Sequence, residues 1–253
     1  MSSPILLLHG VPADARLWDD LRTHLPPHHP VLAPSMPGYG GGPDLVPATV
    51  DAHVAWLRSW LHQQTISGPC HVVGQDYGGL LGARLAIEDP TRVRSLTLIS
   101  APVGLGWTWA RLGALPGPHL LFYRAFGGGL WHHQGVRPSR RQAFADTFGH
   151  HRADPTLPDR MREMARGLGL RQLARTPRQL RATGVPLHTV WGTADRFAPW
   201  PSALWMAARH RRGGHLARTT LIWGGRHYLP FGRPQATASA ITRFIEGIDH
   251  QRP

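Results

Sequence analysis

Cys70-His71-Val72-Val73-Gly74-Gln75-Asp76-Tyr77-Gly78-Gly79 is the stretch that decides how this 253-residue chain is read. Its first four residues form a short apolar run, the pattern of a strand buried on both faces. Gly74 to Gly78 then make a sharp turn, and a helix follows through about Ile87. Glycines on either side allow a tight strand-to-helix elbow without Cβ clashes. The central residue, Asp76, is thereby forced into an exposed, strained pose above the sheet, where the helix dipole favours an anion. The plain structural alternative is an aspartate that only caps the helix.

The pattern repeats outward from the elbow. Pro4–His9 and Val31–Pro34 precede it as apolar strands, and Val93–Ser100 follows it. Helical spacing covers Ala15–Leu25, and Thr49 is placed to cap a helix from Val50 to about Gln63. After Val185-Pro186 come a strand at Leu187–Trp191, a helix near Pro201–Arg209, a strand at Thr219–Trp223 and a last helix from about Gln235 to Ile248. Strands alternating with helices predict an α/β fold: a mainly parallel, doubly wound sheet. The mostly helical stretch before the last two strands predicts an inserted helical cap. The expected division is a core of residues 1–101 and 185–253, with a cap at 102–184. Ligands of such sheets bind at the carboxyl ends of the strands.

Two more strand ends carry chemistry. Trp191-Gly192-Thr193-Ala194-Asp195 follows one strand, and Trp223-Gly224-Gly225-Arg226-His227 follows the last. The acid and the histidine are 32 residues apart, which fits one helix and one strand between them. The order Asp76, Asp195, His227 is the nucleophile–acid–base order of α/β-hydrolases, with a carboxylate where serine is usual. Read singly, Asp195 could be a loop cap and His227 a structural histidine. A carboxylate is already ionised near neutral pH and can attack a saturated carbon that carries a good leaving group. His227, oriented by Asp195, would then activate water to hydrolyse the ester formed on Asp76.

On these motifs the chain resembles the epoxide hydrolase and haloalkane dehalogenase branch of the α/β-hydrolase superfamily. His9-Gly10-Val11-Pro12 is similar to the H-G-x-P oxyanion motif of that branch, and Gln75-Asp76-Tyr77-Gly78-Gly79 to its elbow, where tryptophan often stands in place of Tyr77. The chain begins at the H-G strand, whereas many relatives carry one or two strands before it. The resemblance implies that the backbone N–H groups of Val11 and Tyr77 hold the oxyanion. It also implies leaving-group donors from the cap. For an epoxide these are tyrosines, and the candidates are Tyr123 and His119. For a halide they are N–H donors such as Trp107 and Trp131, side chains that equally suit the packing of a cap. No tyrosine lies between Leu168 and Pro186, where the second epoxide donor is usual, while Asp195 as the acid follows the epoxide hydrolase pattern. The first expectation is opening of a small epoxide to a diol. Haloalkane or haloacid dehalogenation is the alternative, and a non-catalytic member binding a small ligand is a second one.

Composition narrows the partners. The formal net charge is +13, and all 28 basic residues are arginine. They are scattered, and the clusters Arg137–Arg141 and Arg209–Arg212 show no interleaved aromatics in sequence, so a solvated surface is expected and no nucleic-acid partner. No apolar run approaches the ~20 residues that cross a bilayer, so no membrane partner is expected. The start lacks the basic region of a signal peptide, and a lone cysteine, Cys70, fits a reducing cytoplasm. Histidines occur as adjacent pairs, at 28–29, 132–133 and 150–151, whose side chains should not face each other. No H-E-x-x-H or C-x-x-C pattern exists, so neither metal nor cofactor is expected. Gly40–Gly42 and Gly127–Gly129 lack a phosphate-loop ending and read as turns. The expected partners are a small hydrophobic substrate and water, in a monomer or homodimer.

Overall fold

The structure, a computed structural model, describes residues 2–64, 66, 68–103, 134–167 and 170–250. Its centre is one sheet of six parallel strands: β1 (Ile5–Leu8), β2 (Val31–Leu32), β3 (Cys70–Gln75), β4 (Val93–Ile99), β5 (Leu187–Gly192) and β6 (Ala217–Ile222). Their order is β2-β1-β3-β4-β5-β6. The sheet is covered on both faces, and β1 shows how. Leu6 and Leu8 enter one core cluster with Leu57, Leu80 and Met206, while Ile5 and Leu7 enter another with Trp18, Leu21 and Ile241. Successive strand residues point to opposite faces, so a strand buried on both sides must be apolar throughout.

Among the described residues the helices include α1 (Asp19–Arg22), α2 (Val50–Gln63), α3 (Tyr77–Glu88), α4 (Arg141–Phe148), α5 (Leu157–Gly167), α6 (Leu170–Ala182), α7 (Pro201–Arg211) and α8 (Pro234–Asp249), with single turns at His150–Ala153 and Leu229–Gly232. Thr49 does cap α2: its hydroxyl accepts the Ala52 N–H at 3.2 Å. The helix expected over Ala15–Leu25 is shorter, a 3-10 turn at Ala15–Trp18 followed by α1. Asp14 opens that turn by accepting the Arg16 N–H, and Pro26-Pro27 lie just beyond it. From residue 134 to 182 the described residues form helices and turns without a strand. No described helix is long and apolar enough to cross a membrane.

The strand order reverses direction between β1 and β3, because the chain moves to one side for β2 and to the other from β3 onward. That reversal opens a crevice at the carboxyl ends of β1 and β3. His9–Val11 follow one of these strands and Asp76 the other.

Candidate active site

Asp76 sits at φ 51° and ψ −123°, a conformation few non-glycine residues adopt. The strain survives because its surroundings leave no alternative. A Cβ on Gly10 would collide with Gln75 Oε1 and fall 2.6 Å from the Asp76 Cβ, and one on Gly78 would collide with the Leu8 carbonyl. Only glycine at these positions lets β1, the elbow and α3 approach so closely. The elbow is further tied by Asp76 N–H, which donates to the Ile99 carbonyl at 2.9 Å.

The Asp76 carboxylate is buried, and its two oxygens have different neighbours. Oδ2 accepts the Val11 N–H at 3.2 Å. Oδ1 faces His227 Nε2 at 3.6 Å and has no hydrogen-bond partner. On its other side His227 Nδ1 lies 3.0 Å from Asp195 Oδ2. Asp195 is held in turn by the Phe197 and Ala198 N–H groups, which donate to Oδ1 at 2.8 and 2.9 Å. The imidazole is thus bracketed by two carboxylates, with the edges of Phe197 and Tyr228 beside it at ring-centroid distances of 5.2 and 5.1 Å. Burial alone would push its pKa down. The charge of Asp195, its hydrogen bond to Nδ1 and the nearby Asp76 carboxyl outweigh burial and hold it up at about 10. The imidazole thus stands between two aspartates that favour its protonated form.

Residues 3–231 match the model of the alpha/beta hydrolase fold family. The chain belongs to that family. Among relatives of this α/β-hydrolase, the lipase LipV of Mycobacterium tuberculosis is 39% identical over 101 residues, 40% of this chain and 38% of the lipase. A pimeloyl-[acyl-carrier protein] methyl ester esterase of Neisseria meningitidis is 26% identical over 96% of this chain and 94% of its own length. A haloalkane dehalogenase of Psychrobacter cryohalolentis is 37% identical over 36% of this chain and 31% of its own length. The lipase and dehalogenase matches thus span only 38% and 31% of those proteins. Among solved structures, a haloalkane dehalogenase from Bradyrhizobium elkani superposes with a TM-score of 0.78 at 20% identity, covering 99% of this chain and 92% of that one. A thermophilic esterase from Thermogutta terrifontis superposes at 0.76 and 19%, covering 98% and 91%. At such identities the likeness is one of fold. The protein is a hydrolase of the α/β family.

The structure brings five of the sequence-selected residues to one place: Asp76, Asp195, His227, Val11 and Tyr77. The Tyr77 side chain, however, turns away from the carboxylate, with its ring edge-on to His53 and its hydroxyl 3.3 Å from His53 Nδ1. His119, Tyr123, Trp107 and Trp131 lie outside the described residues. Three contributors were not foreseen. Gln75 Nε2 donates to the His227 carbonyl at 3.4 Å, and the Tyr228 hydroxyl donates to the Val11 carbonyl at 3.1 Å. His9 accepts the Met36 N–H on Nε2 at 2.9 Å, while Nδ1 lies 2.9 Å from the Gly10 carbonyl. All three are adjacent in sequence to a selected residue or motif. Adjacency was the one available signal.

One sequence argument is corrected. Adjacent histidines should not face each other, yet the rings of His28 and His29 lie 4.5 Å apart and those of His150 and His151 3.9 Å apart, and the latter two both reach the buried Asp14. The segment of the latter pair is the short helix His150–Ala153, and both long side chains bend toward the same buried carboxylate, Asp14. These three residues offer ligand atoms within 4.8 Å of one another. A cation already occupies the position: the Arg16 guanidinium is 2.6 Å from Asp14 Oδ2 and 3.0 Å from His150 Nε2. The group is a core-to-helix polar tie.

Proposed function

We propose that this hydrolase attacks a saturated carbon with Asp76, forming an alkyl ester that water then cleaves. The observation that supports this most is the buried carboxylate on the strained elbow, with the Val11 N–H on one oxygen and His227 Nε2 facing the other. A carboxylate nucleophile needs no base for the first step. The leaving group departs with its bonding electrons as the Asp76 O–C bond forms. The ester carries no charge, so His227 loses one of the two anions that hold its proton and releases that proton to solvent. Neutral imidazole, still oriented by Asp195, then takes a proton from water as the water oxygen attacks the ester carbonyl carbon. The Val11 and Tyr77 N–H groups are the assigned donors to the oxyanion, one such donor being worth roughly 10²–10³ in rate. Collapse frees the alcohol, with the proton returned from His227, and leaves a water-derived oxygen on Asp76. In this reading residues 102–184 form the lid over a small hydrophobic substrate.

Two leaving groups fit. Halide is placed first: the dehalogenase relative favours it, and the hydroxyls of Tyr77 and Tyr228 are engaged by His53 and the Val11 carbonyl rather than free to protonate an alkoxide. An epoxide is the second reading, favoured by Asp195 as the acid partner of His227 and requiring Tyr123 or His119 as proton donor. The test is intact mass of His227→Gln after incubation with haloalkanes, haloacids and epoxides. Gain of the substrate minus hydrogen halide means dehalogenation. Gain of a whole epoxide means epoxide hydrolysis. A folded protein that forms no adduct with any of them overturns the carboxylate mechanism and leaves a ligand-binding member of the family.

A further inference from the structure

Seven large apolar side chains are exposed among the described residues, and six of them fall between residues 200 and 223: Trp200, Leu204, Trp205, Leu216, Leu221 and Trp223. Trp223 is 86% exposed, far beyond what an isolated surface aromatic requires. The segment is one structural unit, α7 and the edge strand β6. The Thr189 hydroxyl lies 3.3 Å from the Ala203 carbonyl and 2.9 Å from the Thr219 hydroxyl, so odd-numbered residues of β6 lie on the face that α7 covers. Leu221 continues that row. At the upper end the loops after β5 and β6 are tied together, with Gly224 N–H on the Thr193 hydroxyl at 2.9 Å and Ala194 N–H on the Gly225 carbonyl at 2.9 Å. Trp223 sits on one loop and Trp200 ends the other. These are the loops that carry His227 and Asp195.

The segment that builds this face is basic. From Trp200 to Trp223 the sequence holds four arginines and no aspartate or glutamate. The Arg209 guanidinium lies over the Trp205 ring at 4.8 Å, an aromatic partner that the sequence clustering did not reveal. Arg211 and Arg212, at the end of α7, are exposed. Tryptophan is the side chain that settles at a membrane–water interface, and arginine the one that pairs with anionic headgroups. A surface attachment of this kind needs no membrane-spanning helix.

We infer that the α7–β6 edge is a docking face for an anionic lipid surface. The site would then stand beside the bilayer in which a hydrophobic substrate accumulates. The inference rests on the surface alone and holds whichever leaving group the site accepts.

Vesicle sedimentation tests it. The whole protein is expected to pellet with phosphatidylcholine vesicles containing about one third phosphatidylglycerol, and to stay in solution with phosphatidylcholine alone. The pair Trp205→Ala/Trp223→Ala should weaken partitioning about tenfold, by the area each ring would bury. Arg211→Gln/Arg212→Gln should weaken it about as much, and about 0.5 M salt should release the protein. Both variants should hydrolyse a water-soluble substrate at the wild-type rate and melt at the wild-type temperature. Failure to pellet would overturn the inference, as would pelleting indifferent to the tryptophans. Equal affinity for polyglutamate would reassign the face to an acidic protein. Self-association lost in Trp205→Ala/Trp223→Ala, without vesicle binding, would reassign it to a second copy of the chain.

Discussion

His9 and His227 are both fully buried in the same site, and their protonation is opposite. Burial pushes His9 down to about 4, only partly offset by its bond to the Gly10 carbonyl. His227 suffers the same burial and still rises to about 10. Their neighbours make the difference. The two nitrogens of His9 face a carbonyl and a backbone N–H, an arrangement that suits one neutral tautomer. The nitrogens of His227 face two carboxylates. Equal burial thus has opposite outcomes, because only His227 has carboxyl groups beside it to outweigh the desolvation. His9 holds the loop that carries Val11, and in the proposed mechanism His227 gives up a proton when Asp76 is neutralised.

The contrast is broken most severely at Asp76. Asp76→Asn removes the nucleophile and one of the two anions, and turnover should fall by roughly 10⁴ or more, as measured in steady state. Wild-type turnover in that variant would end the carboxylate reading. Asp195→Asn should cost roughly 10³–10⁴ in ester hydrolysis while leaving alkylation nearly intact, because only the second step needs an oriented base. Rapid-mix mass spectrometry separates the two steps, and an equal loss in both would contradict the division of labour.

Stability should bend in opposite directions at the two histidines. His9 binds its proton more weakly folded than unfolded. Its effect is absent above about 6.5 and destabilises the protein as pH falls toward about 4. His71, also lowered to about 4 by burial, acts in the same direction, and each amounts to roughly 3 kcal/mol at pH 4. His227 contributes stability that is complete below about 6.5 and lost as pH rises toward about 10. Chemical denaturation from pH 4 to 10 reads both limbs, and His227→Gln should flatten only the alkaline one. The smallest effect is expected at Gln75→Leu. Its bond to the His227 carbonyl is long and neutral, so hydrolysis should slow about fivefold with alkylation unchanged. A loss as large as that of Asp195→Asn would make Gln75 more than a support.

All six strands could be read along the chain, because an apolar run closed by glycine or proline is a local signal. Asp76, Asp195 and His227 could be singled out because each lies within five residues of a strand's carboxyl end. Nothing local in the sequence said that the Tyr77 hydroxyl would turn to His53. The pairing of His150 with His151 was misread for a related reason: both side chains bend toward Asp14, a group distant in the chain. The apolar edge at 200–223 escaped because Trp200, Leu204 and Trp205 have the spacing of an ordinary buried helix face.

What the sequence determined by itself is therefore the alternation of elements, the elbow, and the order of three reactive residues along the chain. These depend on turn chemistry and periodicity within about ten residues. What only the tertiary structure decided is which groups meet: Val11 with Asp76, His227 between two carboxylates, Tyr228 with Val11, and an arginine over an exposed tryptophan. Most of these contacts join residues 30 to more than 200 positions apart, and protonation and exposure follow from them. They exist only once the strands have taken their order in the sheet, an arrangement that no local stretch of sequence encodes.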